Sequence, residues 1–524
     1  MNISLNQPGM TSLHKAGLAG LYMTLKAFER KNITISDLHW SLYPGRVELD
    51  WLSGDATASL KSFIEQSFRL EDGFVILTGL EMSGPLSLEK KHHLYEAMLN
   101  SFLQFGPHRP TGSKTALTYE VDDQVFWIKD FAPIKDYRHR QATTISDFLD
   151  EAGHFRSNVE TAGWLYPGGG QRHVAHNRSK LNEPPERALA LMFAPVGVIF
   201  YIVRARSKGR KTRLAMVIPQ INDLRENAEI RQILAAQGTL ELTACSDNDA
   251  VLRMLATVNA HTIATETAAS GEKQAMCRLM TFGIVDWNEK QKSRTHCRRV
   301  MSSNLKGLDN YYKAAAIFPN RWQTIKAKYD RKGNLVEPER SFVNTFSARE
   351  MISDNVANGV HWYYGLSDLL NNQDIRERLY FERKEISEMV KTATYEEECE
   401  LLFIQLCHES WRRRMRKLGE RAVNENARFS ILVNKEAERL RASLSRCKNA
   451  ETLRETVVDF WSRGGANELL RGDKLSKVLT LFGEKSWKKA RDLALLALIS
   501  YEPQSKDEAQ ALASTAEAQG DQDE

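Results

Sequence analysis

The stretch that most restricts the fold is residues 487–501, WKKARDLALLALISY, which after one polar turn is apolar on nearly every face of a helix. A helix with no polar side cannot rest on a surface, so it must be covered all round by other helices. The chain therefore contains a helical bundle, and the helical pattern reaches back to about Glu385. Within it Asn449 caps a helix carrying Leu453, Val457, Phe460 and Trp461, and Gly464-Gly465 closes that helix.

Upstream the periodicity changes. Thr11 or Ser12 starts a helix with Leu13, Gly17, Leu21, Leu25 and Phe28 on one side, expected to lie against a sheet. Leu38, Trp40 and Leu42 alternate, Pro44-Gly45 turns, and Val47, Leu49 and Trp51 alternate back as a hairpin. Helical spacing returns over 60–68 and 88–105, on either side of a strand-like run at 74–77. The apolar runs 188–193, 198–203 and 214–218, with turns at 195–197 and 207–209, read as a buried meander flanked by helices at 222–237 and 247–259. The expected fold class is α+β. An N-terminal mixed α/β body with an antiparallel sheet spans residues 1–384, an all-α helical bundle 385–504, and an acidic, disordered tail 505–524.

Composition narrows the function classes. At 42% hydrophobic and 27% charged residues the chain is neither fibrous nor disordered as a whole. No apolar run reaches membrane-spanning length, and the start MNISLNQPGM lacks a basic end before an apolar stretch, so a cytoplasmic protein without a membrane partner is expected. Cys245, Cys277, Cys297, Cys399, Cys407 and Cys447 form no CxxC pair for a metal or redox disulfide. The net charge is +5 although the tail holds six acids against Lys506 alone, so the rest of the chain carries the larger cationic excess.

That excess is clustered. In FGIVDWNEKQKSRTHCRRV, Lys290, Lys292 and Arg294 alternate, so an extended backbone puts all three on one side, with Arg298 and Arg299 beyond: a track for a phosphodiester backbone, or else a solvated strand face. In YPGGGQRHVAHNRSK, Gly168, Gly169 and Gly170 permit close backbone approach, and Arg172, His173, His176, Asn177, Arg178 and Lys180 supply donors for phosphates or base edges. The alternative there is a flexible hairpin loop. In WRRRMRK, Arg412, Arg413, Arg414, Arg416 and Lys417 wrap more than half of a helix, beyond what a helix dipole requires. Trp322 beside Arg321, and Trp362, Tyr363 and Tyr364, offer stacking surfaces or a buried aromatic cluster. No phosphate-binding loop, HExxH, GxSxG elbow or metal-spaced carboxylate set occurs, and the adjacent His92 and His93 diverge on a helix. No catalytic residue, metal or cofactor is expected.

HKAGLAGL (14–21), FLQFGPHR (102–109), GWLYPGGGQRH (163–173), FAPVG (193–197), VIPQINDL (217–224), FGIVDWNEKQKSRT (282–295), NVANGVHWYYG (355–365) and RDLALLALISY (491–501) occur in that order. Together they resemble the Myxan-type large subunit of type I-B CRISPR interference (Cascade) complexes, over nearly the whole chain. The resemblance implies a non-catalytic protein near the 5′ handle of a CRISPR guide RNA, beside the backbone and handle-binding subunits. It would recognise the protospacer-adjacent motif in target double-stranded DNA, help unwinding and R-loop stabilisation, and support recruitment of the helicase-nuclease. Gly168 to Gly170, Arg172, His173, Asn177, Arg178 and Lys180 become the motif-reading loop, Lys290, Lys292, Arg294, Arg298 and Arg299 the backbone track, and Arg412 to Arg414, Arg416 and Lys417 the hold on the displaced single strand. The bundle resembles a Cascade small subunit, which in some relatives is also made from an internal start; Met389 is placed for one. The competing readings are a nucleic-acid enzyme such as a nuclease with an unfamiliar active site, a helical scaffold, and a complex serving guided transposition instead of defence.

Overall fold

The computed structural model describes residues 1–103, 113–161, 164–167, 181–204, 212–265, 276–282, 296–301, 307–465 and 473–502. The chain divides into two compact units: Met1–Ala205, Arg210–Asn304 and Asn320–Thr345 in the first, and Leu305–Pro319 with the chain from Phe346 onward as the bulk of the second.

The first unit opens with strand β1 (Asn2–Ser4) and helix α1 (Ser12–Lys31). Thr11 caps α1 reciprocally: its side chain accepts from the His14 amide, and His14 Nδ1 accepts from the Thr11 amide. Strands β2 (Leu38–Tyr43) and β3 (Arg46–Trp51) form the expected hairpin, and β1 adds to it with Ile3 opposite Val47. Helix α2 (Thr57–Ser67), the pair β4 (Phe68–Glu71) and β5 (Phe74–Leu77), and helix α3 (Leu88–Asn100) follow, then the hairpin β6 (Thr115–Val121) and β7 (Gln124–Phe131). Two short strands, β8 (Val159–Glu160) and β9 (Asn182–Glu183), pair antiparallel. Helices α4 (Pro185–Met192) and α5 (Ala194–Gly197) lead into a five-stranded sheet. In it β10 (Ile199–Val203) lies between β12 (Thr243–Ala244), in parallel, and antiparallel β11 (Arg213–Pro219), and β13 (Met276–Phe282) and β14 (His296–Met301) follow β11 outward, each antiparallel to the strand before it. Helices α6 (Leu224–Ala236) and α7 (Asp247–Thr265) accompany that sheet.

Two expectations fail here for one reason. Ala188 to Met192 are helical and Phe193 is the turn that follows, and α1 packs chiefly on α4 and α5 instead of on a sheet. A continuous apolar run does not distinguish a buried strand from a buried helix. Pro185 at the helix start and the helix-forming sequence ALALM decide it. The contact is between backbones: a Cβ at Gly17 would overlap Ala190 O, one at Gly20 would overlap Phe193 O, and one at Gly197 would overlap Ala16 O.

The second unit contains α8 (Leu308–Ile317), α9 (Ser347–Ala357), α10 (Gln373–Phe381), α11 (Arg383–Thr392), α12 (Glu398–Asn424), α13 (Phe429–Arg446), α14 (Ala450–Gly464) and α15 (Trp487–Ser500). Helix α15 is buried from Asp492 to Ser500 and is surrounded by α11, α12, α13 and α14, as its lack of a polar face demands. The change of composition at Glu385 falls inside α11, whereas the structural unit already takes in α8, α9 and α10. The buried carboxylate of Glu382 accepts from the Ser347 and Ala348 amides at 2.8 and 2.7 Å, and fully buried Arg349 donates to Phe318 O.

Gly197→Ala should lower the stability of the first unit by about 1–3 kcal/mol, because backbone cannot move aside as a side chain can. Gly45→Ala, with nothing within 4 Å, should change it by less than about 0.5 kcal/mol. Urea denaturation of the two variants checks the contrast.

Candidate nucleic-acid interface

Helix α12 buries Cys399, Phe403, Cys407, Trp411, Met415, Leu418 and Ala422, a stripe at three- and four-residue spacing. The basic run occupies the remaining faces. Arg412 and Arg413 both donate to Glu409, at 2.8 and 2.6 Å, and the Arg412 hydrogen bond is the main cause that holds the Glu409 carboxyl below its usual range. Arg414 reaches Glu436 of α13 at 2.9 Å, Arg416 reaches Glu420 at 3.3 Å, and Lys417 donates to Arg463 O at 2.9 Å. The ridge is thus a lattice of local ion pairs. Arg416, at 84% side-chain exposure, is the arginine of the ridge most open to water.

Arg298 and Arg299 fall in β14, with their backbones opposite Leu279 and Arg278 of β13. Lys290, Lys292 and Arg294 lie outside the described residues, as do Gly168, Gly169, Gly170, Arg172, His173, His176, Asn177, Arg178 and Lys180. The segments before and after residues 168–180 are tied together. Thr161 N donates to Leu181 O, and the Tyr166 hydroxyl donates to Glu183 Oε1 at 3.2 Å. Arg187 donates to Glu183 Oε2, and His14 Nε2 lies 3.5 Å from Glu183 Oε1. Of the aromatic candidates, Trp362 and Tyr363 are core residues and Tyr364 is half exposed. Trp322 stacks edge-on to Phe126.

One basic feature escaped the sequence reading. A long ribbon spans residues 321–344: β15 (Arg321–Ile325) pairs with β18 (Arg340–Asn344), and beyond them β16 (Lys328–Tyr329) pairs with β17 (Leu335–Glu337). Its signal was the turn chemistry of Asp330-Arg331-Lys332-Gly333-Asn334 between alternating residues.

Several strongly perturbed ionisable groups serve packing. His93 on α3 donates to Phe200 O at 3.0 Å, and burial pushes its pKa down to about 4. Burial does the same to His408, while Asp492 is pushed up to about 6 by burial although it accepts from the Gly365 and Ser367 amides. Buried Glu400 accepts from Tyr363 and pairs with Lys489. Among the described residues no three His, Cys, Asp or Glu side chains come together as a metal set, and no helix is long and apolar enough to cross a membrane.

The buried histidines give a pH dependence. A folded pKa near 4 against about 6.5 unfolded means that the stabilisation is complete above pH 6.5 and is lost as the pH falls toward 4. Asp492 has the opposite sign: its contribution is present below the unfolded value of 3.8 and is lost as the pH rises through 6. Between pH 7 and pH 5 the first unit should lose on the order of 2 kcal/mol through His93. His93→Gln should flatten that part of the curve, as read from denaturation midpoints at the two pH values.

Residues 2–192 match the family described as the DevT N-terminal domain, and residues 391–524 match the DevT C-terminal domain. A CRISPR-associated protein Cas8a1/Csx13 of Myxococcus xanthus (strain DK1622) is 29% identical over 533 aligned positions, covering 96% of this chain and 88% of the relative. Across nearly all of its length, this chain is similar to a CRISPR-associated Cas8a1/Csx13 protein and carries matches to both DevT domains.

Proposed function

We propose that this chain is the non-catalytic large subunit of a type I-B CRISPR RNA-guided surveillance complex. It probes duplex DNA for the protospacer-adjacent motif, helps to open the duplex, steadies the displaced strand and supports recruitment of the helicase-nuclease. The observation that carries this reading is the likeness to a CRISPR-associated relative along 96% of the chain. In such a division of labour guide pairing reads the sequence, while protein reads the short adjacent motif and the backbone. The glycine-rich stretch 168–180 is assigned to motif reading and Lys290, Lys292 and Arg294 to the phosphate track. The tied flanks at Tyr166 and Glu183 support the first assignment, since a probing loop needs a fixed base.

The ion pairs on α12 favour a second reading for the bundle alone, as a protein-binding scaffold. An arginine already satisfied by Glu409 or Glu436 gains less from a phosphate. The C-terminal match begins at residue 391, two positions after Met389, which supports separate production of the bundle as a small subunit.

Co-expression with guide RNA and the backbone and handle-binding subunits, followed by binding to duplexes with randomised flanks, tests the main reading. The chain should co-purify with the RNA. Replacing Gly168 to Gly170 and Asn177 should abolish motif discrimination while leaving assembly intact. Alanine at Lys290, Lys292 and Arg294 should weaken binding to every sequence and flatten the salt dependence of log K by about 2–3. Absence from the guide complex, or metal-dependent cleavage of DNA by the purified chain, overturns the proposal. Met389 is fully buried in α11, and Met389→Leu conserves volume at a cost below about 1.5 kcal/mol. In a C-terminally tagged gene that change should remove a short product running to Glu524 and leave the full chain, as an immunoblot would show.

A further inference from the structure

We infer that the ribbon of residues 321–344 is an arm that enters the major groove of duplex DNA. The inference rests on the nucleic-acid reading above and adds a contact that reading does not contain.

The arm has a fixed base. Asn320 Nδ2 donates to Leu240 O at 2.6 Å and to Thr243 O at 2.8 Å, which anchors the chain just before β15. Trp322 packs edge-on against Phe126 at 5.4 Å, the Val125 amide donates to Ser341 Oγ at 3.2 Å, and Val343 is buried. The Arg204 guanidinium lies 5.6 Å from the centre of the Phe342 ring.

The distal half is different. Strands β16 and β17 pair with each other, Lys328 opposite Glu337 and Tyr329 opposite Leu335. The turn is closed by Asp330, whose carboxylate accepts from the Lys332 and Asn334 amides and from Asn334 Nδ2, with Gly333 at φ +81°. Tyr329, Leu335 and Val336 stay 64, 55 and 62% exposed. A two-stranded ribbon gains stability by burying one face, so three large apolar side chains left in water at its end suit a partner better than the fold.

Charge selects the partner. Lys326, Arg331 and Lys332 are exposed and pair with no acid among the described residues. Lys328 is matched by Glu337 at 3.2 Å, and Asp330 is turned toward backbone donors. These three cations differ from the arginines of α12 in that no ion pair has to break before they meet a phosphate. A two-stranded ribbon fits the major groove, roughly 12 Å wide. There Tyr329, Leu335 and Val336 meet base edges and thymine methyls while the cations flank the phosphates.

The test uses the full chain and a random-sequence duplex, with binding followed by anisotropy over a range of salt. The Lys326→Ala, Arg331→Ala, Lys332→Ala triple variant should bind at least tenfold more weakly, and the slope of log K against log salt should fall by about 2–3, near 0.9 per phosphate contact. Tyr329→Ala should weaken binding several-fold with the slope unchanged. All four positions are exposed, so thermal melting should not move. If the wild-type chain binds duplex and the triple variant matches it in affinity and slope, the arm assignment is wrong while the wider reading stands. If the wild-type chain binds no duplex, both fail. A loss seen only with a single-stranded probe, or loss of a protein subunit with duplex affinity intact, also overturns the groove assignment.

Discussion

The close approach of α1 to the α4–α5 corner is the contact from which the first unit is assembled. Because Gly17, Gly20 and Gly197 have no side chain, the backbones meet directly at these positions. Helix α4 starts immediately after β9, so fixing α4 on α1 also brings Glu183 to the first turn of α1. There His14 takes the Thr11 hydroxyl on Nδ1 at 2.7 Å and turns Nε2 toward Glu183, while Arg187 spans Glu183 and Pro8 O. His14 and Arg187 thus flank one buried carboxylate and keep it below its usual pKa against the effect of burial. On the far side α5 runs into β10, so the same contact sets the position of the central sheet.

The structure sorts the cations by what each would have to give up. The carboxylates of Glu409 and Glu420 on α12 and of Glu436 on α13 lie within hydrogen-bond reach of Arg412, Arg413, Arg416 and Arg414. Exposed pairs of this kind are worth little by themselves, about 0–1 kcal/mol, yet their carboxylates offset the positive field that a passing strand would feel. A basic run in a sequence therefore measures charge density along the chain, whereas binding depends on density in space after acids from neighbouring turns and helices are counted. The ribbon makes the converse point. Its cations are scattered through KAKYDRKGN, yet on the folded ribbon Lys326, Arg331 and Lys332 stay exposed, with no acid paired to them among the described residues.

What the sequence disclosed follows from which interactions are local. The hairpin of Leu38–Tyr43 and Arg46–Trp51, the Thr11 and Asn449 caps and the all-round burial of α15 depend on periodicity and on turn or cap chemistry within a few residues. The helical state of Ala188 to Met192 was missed because its apolar run carries no period, and because α1 determines what covers it. The network around Glu183 joins residues far apart in sequence, and nothing local to His14 marks it as a buried partner rather than a surface cap. Trp362 and Tyr363 illustrate the same limit: an aromatic run reads alike whether it stacks on a base or fills a core, and only burial separates the two.

The second unit shows what a bundle beginning at Met389 would lack. Glu400 takes a hydrogen bond from Tyr363, and Asp492 takes two from the amides of Gly365 and Ser367, all from the chain ahead of that methionine. Without them Glu400 would keep Lys489, but Asp492 would lose its donors and its cover together. Burial is what raises the Asp492 pKa, so a carboxyl opened to water would return toward an ordinary value and stay ionised down to lower pH. The polar groups that hold residues 361–367 to α12 and α15 in the full chain would thus become a hydrated acidic patch in the shorter one. One sequence would then supply two surfaces, one closed by its own N-terminal neighbour and one open, with the difference fixed by where the chain begins.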